Sequence, residues 1–192
     1  MDGLHPIAMT REQFGDALSR FHWTRRVTSV HMHHTWSPSR AQWRGRDTVI
    51  GMRNFHVQTN GWADIAQHLT IAPDGSLWTG RDWNTPPASS GDRSGNNGTT
   101  VEGPFMFETV GNFDTGHDPF DGIQRAAVLG VIVRLQTRFG LAPETLKFHR
   151  DLGSPKTCPG SGISYSDVLA AVRREHVRLG QLPTPAPDPR DV

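Results

Sequence analysis

Cysteine is almost missing from this 192-residue chain, where Cys158 stands alone. That excludes an internal disulfide framework, so any special role for the residue comes through its thiolate, as nucleophile or metal ligand; otherwise it is an inert buried thiol. An excess of charge is missing too. Lys plus Arg number 20 against 19 Asp plus Glu, a net charge of +1, which provides neither a basic stripe for nucleic acid nor an acidic tail for a basic partner. No apolar run approaches the roughly 18 residues of a membrane span, and the opening MDGLHPIAMTREQFG has no basic segment followed by an apolar one. The expectation is therefore no membrane, no nucleic acid and a cytoplasmic location, although release by lysis or leaderless secretion would leave the same sequence. The length suits one domain with a sizeable core, and oligomeric state is open.

Local signals divide the chain into alternating strands and helices. Thr10 and Gln13 have capping-box spacing and open a short helix to about Arg20, with Phe14, Leu18 and Phe21 at helical intervals. Residues 26–33, RVTSVHMH, are β-branched enough for a strand that ends at the polar HTWSPS. Residues 47–59 fit a helix stopped by Asn60-Gly61, and HLTIAPDGSLWTG fits a hairpin turning at Asp74-Gly75. A long loop rich in Pro, Ser, Gly and Asn covers 83–103 before an apolar strand, PFMFETVG. The clearest amphipathic helix runs 121–139 with Gly140 as its stop, TLKF is a short strand leading into His149, and a last helix spans about 164–179. The Pro-rich QLPTPAPDPRDV lacks a core pattern and reads as a tail or linker. This alternation predicts an α/β or α+β sheet covered on both faces.

Two stretches carry chemistry. HMHHTWSPS places three histidines at the carboxyl end of a predicted strand, and FHRDLGSPKTCPG places His149 and Cys158 around a turn-rich loop after another strand. Two histidines and a cysteine are what a catalytic zinc site uses, with the fourth tetrahedral position open.

Four blocks, VHMHHTWS, FHVQTNGWADIAQHLTIAPDGSLWTGR, PFMFETVGNFD and HRDLGSPKTCPG, together resemble the zinc-dependent N-acetylmuramoyl-L-alanine amidase superfamily, which includes phage lysozyme-type amidases and peptidoglycan recognition proteins. The resemblance runs over roughly residues 26–175. It implies a single α/β domain with a central mixed sheet flanked by helices, divided here into an N-terminal helical cover (1–25), a zinc amidase domain (26–180) and the Pro-rich tail (181–192). By correspondence His33, His149 and Cys158 are the zinc ligands. His31 and His34 stand second in line: strand alternation puts His31 on the face of His33 and turns His34 the other way.

The same resemblance implies an amidase cleaving the bond between N-acetylmuramic acid and L-alanine, with peptidoglycan or a muropeptide as substrate. Lys156 takes the position of a lysine that stabilises the tetrahedral oxyanion. Where the family has a tyrosine this chain has Gln67, which can orient water but not take its proton, so Glu108 is the expected general base and acid; a carboxylate in an apolar strand is costly unless paired or functional. Trp36, Trp78 and Trp83 are candidates to stack on sugar or peptide faces. The family's usual histidine is missing from PPASSGDRSGNN, where Ser89 and Ser90 stand nearby. Two alternatives remain: a non-catalytic peptidoglycan-binding module, and a zinc hydrolase of a different amide.

Overall fold

The structure is a computed structural model that describes residues 5–89 and 96–180; Ser90 and the proposed tail at 181–192 lie outside the described residues. Six strands, β1 (Ala8–Met9), β2 (Arg26–His34), β3 (Leu69–Ile71), β4 (Leu77–Thr79), β5 (Glu102–Thr109) and β6 (Leu146–Phe148), form one mixed sheet in the order β1-β4-β3-β5-β2-β6. β3, β5, β2 and β6 run parallel, while β4 is antiparallel to both β3 and β1. The carboxyl ends of four strands therefore open on one edge, where open α/β sheets place their ligand sites.

Local chemistry marks several of the helix ends. In α1 (Arg11–Arg20), the Thr10 hydroxyl accepts from the Gln13 N–H at 3.2 Å and the Gln13 carboxamide accepts from the Thr10 N–H at 2.8 Å, so two otherwise unbonded donors are satisfied reciprocally. α2 (Arg46–Gln58) and α4 (Tyr165–Arg178) fall close to the expected spans, and α3 (Gly122–Phe139) ends at Gly140 in the left-handed conformation, φ 62°. The two-residue β1 has no counterpart in the sequence reading, because so short a strand exists only through its pairing with β4.

Strand alternation sorts the two faces. Val30 and Met32 of β2, Phe105 and Phe107 of β5, and Leu146 and Phe148 of β6 join Val128, Val131 and Leu135 of α3 in the main core. Phe14 and Leu18 of α1 and Val168 and Val172 of α4 complete that layer. α2 contributes Val49 and Met52 to a separate small cluster with Ile65, against which Trp43 and Trp78 pack. The polar side chains His31, His33 and Glu108 share the face opposite the main core.

Candidate metal centre

β2 and β6 are parallel neighbours with Met32 opposite Phe148, so the next residue of each, His33 and His149, leave adjacent strand ends on the same side. Their rings lie 4.3 Å apart between centroids. Cys158 returns to them from the loop after β6, and one donor atom from each residue falls within 4.8 Å of the others. All three residues are buried, and His33 Nε2 has no hydrogen-bond partner among the described residues.

The electrostatics of this cluster suit a cation. Burial, reinforced by the neighbouring His149, His31, His34 and Lys156, holds the His33 imidazole well below its usual range, so the ring is neutral and keeps a lone pair. Burial pushes the Cys158 thiol up to about 12, against a smaller opposing effect of the His34 backbone N–H, which lies 3.4 Å from the sulfur. A thiolate here needs positive charge that the surrounding residues supply only weakly. Two imidazoles and one thiolate, with no carboxylate among them, fit zinc and not magnesium or calcium.

A second set of contacts fixes the ligand loop. Arg150 donates to the carbonyl oxygens of Gly160 and Ile163, both at 2.7 Å, its own N–H bonds Cys158 O at 2.8 Å, and its guanidinium lies over Phe148. The chain after β5 clasps the same loop: Gly162 N–H donates to Phe113 O at 2.9 Å and Ser161 N–H to Asp114 at 2.8 Å. At Gly160, with φ +128°, a Cβ would stand 2.5 Å from Phe113 O, so only glycine allows this approach. Neither Arg150 nor the Phe113-Asp114 contact was singled out in the sequence, although both lie inside the quoted blocks; their partners are carbonyls and amides, which leave no residue-type signature.

Glu108 stands beside the cluster. β5 pairs with β2 so that Glu108 is opposite His33, and with β3 so that Thr70 is opposite Glu108, giving the row His33, Glu108, Thr70 on one face. Burial raises the Glu108 carboxyl to about 8, with Lys156 pulling weakly the other way. Glu108, Lys156, His33, His149 and Cys158 all line one cleft of about 970 Å³. Gln67 does not. It is fully buried and donates to the Thr70 hydroxyl at 2.9 Å, so it packs behind Thr70 and is not part of the cleft wall.

The remaining candidates separate cleanly. His34 faces the other way, its Nδ1 accepting from Phe113 N–H at 3.3 Å and its ring stacked on Phe113. His31 lies deeper on the His33 face, with the Ser29 hydroxyl 3.1 Å from its Nε2, and is not in the cluster of donors. Trp83 is core, stacked on Trp23 at 5.7 Å, and Trp78 meets Trp43 edge-on. Trp36 is exposed and lines the cleft. Ser89 lines it too, bonded to Asn97. His56, passed over in the sequence, also lines the cleft; its ring lies against Trp62 and accepts from Ala66 N–H at 3.1 Å.

Comparison with known proteins supports the same assignment of fold. The model of a family described as N-acetylmuramoyl-L-alanine amidase matches residues 23–161. A pig N-acetylmuramoyl-L-alanine amidase is 29% identical over 139 residues, covering 70% of this chain and 22% of its own length. The chain spans between about a fifth and about a half of the length of the curated relatives it matches. Among solved structures, the amidase LysC from Clostridium intestinale superposes with a TM-score of 0.61 at 20% identity, over 80% of this chain and 94% of that one. A Drosophila PGRP-LB mutant with a tyrosine replaced by phenylalanine, in complex with tracheal cytotoxin, gives 0.59 at 20% identity over 77% and 83%.

Proposed function

The chain belongs to the N-acetylmuramoyl-L-alanine amidase family, and on that premise we propose that it is a zinc-dependent hydrolase of the amide joining N-acetylmuramic acid to L-alanine, in peptidoglycan or its fragments. The observation that carries this reading is the union of His33, His149 and Cys158 at adjacent strand ends, with Glu108 opposite His33 in the neighbouring strand. The named ligand of the Drosophila PGRP-LB complex supports a muropeptide as the class of ligand.

His33, His149 and Cys158 would hold the zinc, which when bound supplies Lewis acidity, polarising a carbonyl and bringing the pKa of water down to about 7. Glu108, at the cleft wall, takes a proton from the attacking water and returns it to the leaving amine nitrogen as the carbon–nitrogen bond breaks. Its position in a buried strand suits that double duty, since burial brings a carboxyl towards the working pH. Lys156 places an ammonium on the same cleft, where it stabilises the negative charge that develops on the carbonyl oxygen. The products are the lactyl carboxylate of the sugar and a peptide with a free L-alanine amine.

Digestion of purified peptidoglycan by the zinc-loaded protein, followed by analysis of the new ends, tests the reading. Free L-alanine amino groups and muramic lactyl carboxylates in equal amounts are expected. Other new ends would mean a different amide, and retention on peptidoglycan with no new ends would mean a binding module.

A further inference from the structure

Trp36 combines two features that are each unfavourable for a folded chain on its own. It is the only described residue other than glycine with positive φ, at 56°, and its large apolar side chain is 60% exposed. For a residue bearing a Cβ the left-handed region carries a steric penalty that glycine avoids. The surroundings hold it there: Trp36 N–H donates to Gly111 O at 3.0 Å, and the adjacent Thr35 hydroxyl donates to Pro38 O at 2.6 Å and accepts from Gly111 N–H at 2.9 Å. Among the described residues the indole makes no ring contact and no hydrogen bond, so neither offsets the strain. A backbone outlier that the structure over-determines points to function.

The position says which function. Trp36 follows the candidate ligand His33 by three residues and lines the same cleft. Ser37, Gln42, Thr48 and Asn60 line that cleft as well, with the Gln42 carboxamide oxygen accepting from Ser39 N–H and the Thr48 hydroxyl from Arg44 N–H. An open aromatic face in a cleft lined by polar residues matches a pyranose ring, which has an apolar C–H face and a polar rim.

We propose that Trp36 is a substrate-positioning platform for the sugar ring of the substrate, so that this site selects sugar-bearing muropeptides over free acyl-peptides. The proposal rests on the muropeptide reading above and adds the part of the substrate that is recognised and the residue that recognises it. It also assigns a reason for tryptophan at a backbone position suited to glycine.

The test titrates zinc-loaded Glu108→Gln protein, which retains the cleft, with N-acetylmuramoyl-L-alanyl-D-isoglutamine and with lactoyl-L-alanyl-D-isoglutamine, which lacks the sugar. Adding Trp36→Ala is expected to weaken binding of the sugar-bearing compound about tenfold and to leave the sugar-free one within about twofold, with Trp36→Phe recovering most of the loss. Equal losses on both ligands, no loss on either, or no measurable binding of the sugar-bearing compound would overturn the platform. Turnover of peptidoglycan by the wild-type protein is measured separately: cleavage without the Trp36 pattern sinks this inference alone, and the Trp36 pattern without cleavage sinks the amidase reading alone.

Discussion

Among single residues, Glu108 and Gln67 now have distinct expected behaviours. Glu108→Gln keeps the side-chain shape and is expected to leave zinc content and folding intact while lowering kcat by about 10² to 10⁴-fold, the usual worth of general acid-base assistance. Gln67→Ala removes a buried amide bonded to Thr70 and is expected to lower thermal stability while costing turnover far less. Steady-state kinetics and melting curves on both variants check this, and a normal kcat for folded, zinc-loaded Glu108→Gln would rule out the proton role. The histidine run is tested in the same way. Cys158→Ser and His149→Ala are expected to lose zinc, measured by metal analysis, whereas His34→Ala keeps it and loses about 1 kcal/mol with the bond from Phe113. A His34→Ala protein without zinc would reassign the ligand.

At the scale of elements, the ligand loop after β6 is held from two sides, by Arg150 within the loop and by the segment after β5. Arg150→Ala removes the guanidinium bonds to Gly160 and Ile163, so Cys158 is no longer preset beside the histidines. Groups that orient ligands from outside the metal's immediate contacts are typically worth roughly 10 to 100-fold in affinity. A loss of that size in zinc affinity is expected for Arg150→Ala, read by chelator competition, with the secondary structure unchanged by circular dichroism. Unaltered affinity would mean that the clasp from Phe113 and Asp114 suffices. The parallel pairing of β2 with β5 and β6 has the same kind of consequence: it makes three side chains from distant parts of the chain neighbours by register alone.

For the whole molecule, burial of titratable groups sets how stability depends on pH. Burial holds His68 at about 3, with its Nδ1 accepting from Met106 N–H at 3.0 Å and its Nε2 bonded to Thr85 O at 2.8 Å, and holds His34 at about 4. Both are lowered from 6.5, so the unfolded chain binds their protons first and stability falls as pH drops from about 6.5 towards 4. Glu108 acts in the opposite sense. Its carboxyl is raised by burial from 4.5 to about 8, so in zinc-free protein the folded state binds the extra proton and stability falls as pH rises through that window. Denaturant titrations of zinc-free protein at about pH 4.5, 6 and 8 are expected to show the acid loss, and Glu108→Gln is expected to gain stability relative to wild type between about pH 6 and 8, by up to a few kcal/mol. A wild-type to Glu108→Gln difference that is flat across pH would show that Glu108 is solvated in solution.

The helices, the long strands and the order of the four blocks were legible in the sequence because each rests on local chemistry: the Thr10-Gln13 capping box, the Asp74-Gly75 turn, the left-handed stop at Gly140, the β-branched run into His33. The direction in which His33 and His34 point was also legible, since alternation along a strand is a property of the backbone. Which face of the sheet receives α3 and α4 was not, nor was the fate of the three tryptophans singled out, because burial depends on which distant element arrives. The sequence alone left Trp36, Trp78 and Trp83 equivalent; packing buried Trp83 beside Trp23, set Trp78 against Trp43 and left Trp36 exposed at the cleft. The Arg150 clamp, the glycine forced at residue 160 by Phe113 O and the withdrawal of Gln67 behind Thr70 are likewise contacts across the fold. Local sequence determines the torsions and faces of an element, whereas distances between residues far apart along the chain are settled only when the elements pack.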